Sequence, residues 1–237
     1  LVRWQHPLRG FLRPDLFIPL AEQNDRIAKL TLHVLAQTID DLRAWRVQGH
    51  AINGAVNISA KLLSSEEFIT ALRGLIERSG VAPASLIFEV TESATMNDPD
   101  RAVAALQSFR AMGIAISMDD YGTGQSTLTY LKQLPLNELK IDRSFIQFAH
   151  QNRSDGVLVR STINLAHELG LKVVAEGVED SACPDFLKSI GCDMAQGYFI
   201  GRPMPAGDLL QRLASDAAGV PVEPAAAAAP LDLKRAG

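Results

Sequence analysis

Six segments of this chain run from apolar, strand-like residues into a polar side chain at their C-terminal end: Asn57, Glu89, Asp119-Asp120, Lys140, Glu176 and Gln196. Glu89, Asp119, Asp120 and Glu176 are carboxylates. Carboxylates gathered in a cleft repel one another and lose hydration, a cost relieved by protonation or by a cation. A divalent metal site is therefore the chemistry this set predicts. The histidines (His6, His33, His50, His150, His167) are scattered, and His167-Glu168 lacks the second histidine of an HExxH motif. Cys183 and Cys192 match neither a zinc knuckle nor a redox CxxC pair. An all-oxygen donor set favours the hard ions Mg²⁺ and Mn²⁺ over zinc.

Taken singly, each residue also has a plainer reading. Asp119-Asp120 ends the apolar run Ile114 to Met118 and leads into Tyr121-Gly122-Thr123-Gly124. Neighbouring carboxylates there bind one ion each or share two, or they form an acidic turn. Glu89 closes the run that begins at Leu86, as a ligand, an internal ion pair or a helix cap. Asn57 offers a neutral oxygen or satisfies loop backbone. Lys140 steadies a water or a leaving oxygen, or makes a salt bridge. Glu176 reads as ligand or base, and Glu179 as a loop anchor or cap. Gln196 hydrogen-bonds a base or phosphate, or turns the chain.

The elements that must position these residues alternate. Helical spacing of apolar residues runs over 25–48, 66–79, 98–112, 155–169 and 182–190, stopped by Gly49, Gly80, Gly113, Gly170 and Gly191. Short β-rich runs follow at 55–58, 86–90, 114–118, 171–175 and 194–198, with another at 139–141 after Pro135. Strand–helix alternation with short connections predicts a parallel sheet covered by helices. At least six such units, with no GxGxxG after the first strand, favour a single-domain α/β barrel over an open dinucleotide-binding sheet. In a parallel barrel the C-terminal strand ends share one rim, which would gather all six polar ends.

At 237 residues and 47% hydrophobic, the chain suits one soluble domain, and no apolar run is long enough to span a bilayer. A net charge of -4 argues against a polymeric nucleic-acid partner. The two cysteines read as reduced thiols of a cytoplasmic protein. Beginning at Leu1, the chain reads as part of a longer protein whose remainder can be anchored in the inner membrane. Residues 214–237 are rich in Ala and Pro and read as an extended tail after a domain of residues 1–213.

In order, Leu1-Val2-Arg3-Trp4, Asn57-Ile58-Ser59, Glu89-Val90-Thr91-Glu92-Ser93, Asp119-Asp120-Tyr121-Gly122-Thr123-Gly124, Lys140-Ile141-Asp142, Val174-Ala175-Glu176-Gly177-Val178-Glu179 and Gln196-Gly197-Tyr198 resemble the successive signature blocks of the EAL-domain cyclic di-GMP phosphodiesterases. The resemblance covers about residues 1–213. It implies a modified TIM (β/α)8-type barrel that hydrolyses cyclic di-GMP to linear pGpG with two Mg²⁺ or Mn²⁺ ions. It also implies Asn57, Glu89, Asp119, Asp120 and Glu176 as metal ligands, Lys140 and Glu176 as catalytic groups, and Arg3, Gln196 and Asp142 as substrate contacts. Glu92 and Glu179 would hold the loop from Asp119 to Gly124. Tyr121 stands where Phe is typical, and Gln125 where Tyr is. Leu1 continues the name-giving Glu-Ala-Leu triplet, so its glutamate falls before the first residue. The expected partners are cyclic di-GMP, a second copy of the chain, and an upstream sensory or diguanylate-cyclase-like domain. The rival expectation is a catalytically silent receptor of the same fold.

Overall fold

The computed structural model describes residues 2–123 and 128–217. Leu1, Gly124, Gln125 and the segment beyond residue 217 lie outside the described residues, and with them part of the expected loop, the Gln125 departure and most of the expected tail.

The chain opens with an antiparallel hairpin, β1 (Trp4–His6) and β2 (Gly10–Leu12), followed by α1 (Pro14–Gln23) and α2 (Ile27–Val47). Next come β3 (Gly54–Asn57), α3 (Ala60–Leu63), α4 (Glu66–Ser79), β4 (Leu86–Thr91), α5 (Glu92–Met96) and α6 (Pro99–Ala111). The second half holds β5 (Ala115–Tyr121), α7 (Leu128–Leu131), β6 (Glu138–Ile141), α8 (Arg143–Ile146) and α9 (Arg153–Glu168). It ends with β7 (Lys172–Glu176), α10 (Ala182–Ser189), β8 (Met194–Gln196) and α11 (Ala206–Ala217). The last helix runs past residue 213. The hairpin, α1 and the short helices α3, α5 and α8 have no counterpart in the sequence reading, because segments so short carry little periodicity.

Strands β3 to β8 form one parallel sheet in chain order, curled into the expected TIM-barrel-like architecture. Burial alternates along β4: Leu86, Phe88 and Val90 are fully buried beneath the helices, while Ile87, Glu89 and Thr91 point the other way. On the helix side Phe88 meets Phe109 of α6 edge to face, ring centres 5.1 Å apart. Along α2, Ile27, Thr31, Leu35, Ile39 and Leu42 form the buried stripe, at the spacing of one helix face. The glycine stops hold: Gly80 takes φ 69° immediately after α4, a left-handed conformation that L side chains avoid, and the other helix stops also have positive φ. No helix among the described residues is long and apolar enough to cross a membrane.

Candidate metal centre

Sheet register decides which side chains meet. Asn57 of β3 lies beside Glu89 of β4, Thr91 beside Asp119 of β5, and Glu176 of β7 beside Gln196 of β8. These pairings bring six scattered segments to the C-terminal rim. At its centre sits Lys140 of β6, 4% exposed. Its Nζ lies 2.9 Å from Glu89 Oε1, 3.0 Å from Asp119 Oδ1 and 2.7 Å from Glu176 Oε1. Asn57 Nδ2 donates to Glu89 Oε2 at 2.8 Å, which leaves the amide oxygen as the atom Asn57 can offer to a cation.

Consecutive residues of a regular strand face opposite sides, so Asp119 and Asp120 would not ordinarily share a site. Two local irregularities change this. Pairing of β5 with β6 slips between Met118 and Tyr121, and Asp120 takes a left-handed φ of 56°. The strained turn is held by the Asp120 N–H donating to Asp119 Oδ1 at 3.1 Å and by Thr123 Oγ1 donating to the Asp120 carbonyl at 2.9 Å. As a result, carboxylate oxygens of Asp119, Asp120 and Glu176 all lie within 4.8 Å of one another.

The electrostatics follow from four carboxylates facing one ammonium. Burial alone would lower the Lys140 pKa, but Glu89, Asp119 and Glu176 outweigh it and hold the ammonium well above its ordinary range. One shared cation does not neutralise the set. Burial raises the Glu176 pKa, Lys140 pulls it back, Asp119 and Glu89 push it up, and the net shift is upward. Asp120 is likewise raised, first by burial and then by Asp119 and Asp142. A cluster that retains its ammonium and still disfavours its own carboxylate charges fits a divalent cation. Its donors are all oxygen, as hard ions require.

The sequence profile of the EAL domain family matches residues 1–203. The chain belongs to the EAL domain family. It is 43% identical over 215 residues to the bifunctional diguanylate cyclase/cyclic di-GMP phosphodiesterase MucR of Pseudomonas aeruginosa, covering 90% of this chain and 31% of MucR. The cyclic di-GMP phosphodiesterase NbdA of the same organism is 42% identical over 210 residues, covering 88% of this chain and 27% of NbdA. The chain thus spans about a third or less of these relatives. Among solved structures, the MucR phosphodiesterase in complex with cyclic di-GMP superposes with a TM-score of 0.83, covering 88% of this chain and 85% of that one. The EAL enzyme Bd1971, bound to cAMP and cyclic di-GMP, gives 0.83 at 32% identity, with 89% and 58% covered.

The rim of this EAL domain also sorts the remaining expected residues. Glu92, 3% exposed at the start of α5, accepts the Gly122 N–H at 3.2 Å and so ties α5 to the turn after Asp120. Glu179 has a different neighbour, the Arg143 guanidinium at 3.9 Å. Asp142 accepts the Ser144 N–H at 2.9 Å and caps α8, while standing close enough to Asp120 to raise its pKa. Gln196 is exposed at the rim, its carbonyl accepting the Val178 N–H at 3.1 Å. The Arg3 guanidinium turns back onto the Val2 carbonyl at 3.0 Å. The described contact of Arg3 thus leads away from the carboxylates.

A cleft of about 920 Å³ opens from Asn57, Glu89 and Gln196 toward α1 and α2. On its wall Ser59 Oγ donates to Glu22 Oε1 at 2.6 Å, and Thr91 and Ser93 also line it. Sequence reasoning passed over Glu22 because α1 was not foreseen. Ser59 sat inside a recognised block, and that was the available signal.

Proposed function

We propose that the domain hydrolyses cyclic di-GMP to linear pGpG, using two Mg²⁺ or Mn²⁺ ions held by Asp119, Asp120, Glu176, Glu89 and Asn57. The observation that carries this reading is the convergence of Asp119, Asp120 and Glu176 beside Lys140, in a chain 43% identical to the MucR phosphodiesterase. When bound, such ions polarise the phosphate and lower the pKa of water. The protein's own residues do the rest. Lys140 keeps its proton, so it acts as a fixed positive charge and donor that orients water and phosphate. Glu176, its carboxyl held above the ordinary range, accepts the proton of the attacking water. The water oxygen bonds to phosphorus, one P–O ester bond breaks in line, and the leaving ribose oxygen takes up a proton. Gln196, Asp142 and Arg3 contact the substrate, with Arg3 rotating off its own backbone to do so.

The test is pGpG formation with added Mg²⁺ or Mn²⁺. Asp119→Ala should lose at least about a hundredfold in turnover with its fold retained, because a methyl group cannot replace a ligand oxygen. Near-normal turnover would remove the metal assignment. Saturable cyclic di-GMP binding without any hydrolysis by the native chain would instead establish the silent receptor. The domain works in the cytoplasm as a homodimer, downstream of a sensory or diguanylate-cyclase-like domain. Sedimentation equilibrium of the domain tests the dimer, and a monomer at micromolar concentration would refute it.

A further inference from the structure

A second cavity, of about 1320 Å³, lies away from the carboxylate rim, at the N-terminal ends of β3, β4 and β5. Its floor is apolar: Leu42 of α2 and Ile76 of α4 are buried there, flanked by Met112 after α6. Arg43 and Arg46 of α2 and Arg73 of α4 line it as exposed cations, and Glu77 is the acidic residue of the lining. Arg46 and Arg73 have no ion-pair partner among the described residues, and Arg43 has a loose one, Asp40 at 3.9 Å. A cationic groove on a chain of net charge -4 is set against the overall charge of the protein. Arg46 has a local reason to be cationic, since it sits in the last turn of α2 where a helix end is negative. Arg73 lies mid-helix and Arg43 before the last turn, and neither has that explanation.

We infer that this groove docks an acidic, partly apolar polypeptide segment of a partner protein. Shape and charge decide among anionic ligands. The groove is larger than the roughly 300–1,000 Å³ of ordinary small-molecule sites. The C-terminal ends of α2, α4 and α6 converge on it, and their partial negative charge opposes a compact phosphate at the floor. Guanidinium groups spread over two helices suit spaced carboxylates along a peptide whose apolar side chains cover Val47, the large apolar side chain that the lining leaves exposed. Three arginines are too few for a nucleic-acid track. A partner seated here leaves the opposite rim open to substrate.

The test is fluorescence polarisation on the full chain, using a labelled helical peptide with a leucine face flanked by glutamates, and its counterpart with lysine in place of glutamate. The acidic peptide should bind saturably, at least about tenfold tighter than the lysine peptide, and should weaken with added salt. The triple variant R43E/R46E/R73E should lose at least about tenfold in affinity while its melting temperature falls by no more than a few degrees, since all three side chains are exposed and Arg46 alone faces a helix end. The milder R43Q/R46Q/R73Q should fall between the two. Absence of saturable acidic-peptide binding, equal binding of both peptides, or unchanged binding by the triple variant would each overturn the inference. So would tighter groove-dependent binding of a single-stranded oligonucleotide or of anionic lipid vesicles.

Discussion

Lys140 places an ammonium among the carboxylates that would hold an added cation. Its ammonium is shared by Glu89, Asp119 and Glu176, whose side chains are only 13–16% exposed. Removing one partner of a buried ion pair leaves unpaired charge in a poorly hydrated place. Lys140→Met should therefore cost about 3 kcal/mol of stability in the presence of chelator. Excess Mn²⁺ should restore part of that loss, because the freed carboxylates gain a replacement cation. Urea unfolding with and without metal measures both effects. Equal stability of native and variant proteins in chelator would show that Lys140 does not hold the cluster together.

At the scale of elements, the site depends on how loops leave the strands. Gly177 follows Glu176 at the end of β7 with φ 72°, and a Cβ there would collide with the Arg143 Cβ at the start of α8. Gly80 has nearly the same φ, 69°, but nothing lies within 4 Å of its Cβ position. Gly80→Ala should cost about 1–2 kcal/mol, the left-handed backbone penalty alone. Gly177→Ala should cost more and should displace Glu176, lowering metal affinity as well. Comparable unfolding midpoints for the two variants would refute this steric argument. Glu92 works between elements, from α5 to the Asp119–Thr123 turn. Glu92→Ala should lower turnover by about 10–100-fold by loosening that turn rather than removing a ligand. A structure of the variant with the turn unmoved would disprove the mechanism.

For the whole molecule, the cluster couples folding to pH and metal. Glu176 and Asp120 have folded-state pKa values raised above their ordinary 4.5 and 3.8. A raised carboxyl pKa contributes stability that is fully present below the unfolded value and lost as pH rises through the folded one. The metal-free protein is thus penalised at neutral pH. Divalent ions need the same carboxyls deprotonated, so their affinity falls on acidification through the raised range. The gain in melting temperature from Mg²⁺ or Mn²⁺ should consequently be largest near neutral pH and shrink steadily as acidification protonates these carboxyls. A metal-induced gain independent of pH would show that these two carboxyls do not bind the ion.

Much of this was legible in local pattern. Glycine stops after α2, α4, α6, α9 and α10 are dictated by the one residue that enters left-handed backbone freely, and helix and strand positions followed to within a few residues. The six polar strand ends were recognisable because apolar runs terminate at them. Other features required the assembled fold. That Asp119 and Asp120 face one site depends on the register slip beside β6 and the strained φ at Asp120, neither of which alternation predicts. That Lys140 is shared among three carboxylates, Glu179 meets Arg143, and Glu22 reaches Ser59 depends on strands and helices distant in sequence becoming neighbours. Residue type and spacing determined which groups could bind a metal; contacts across the curled sheet decided which atoms meet and how their charges balance.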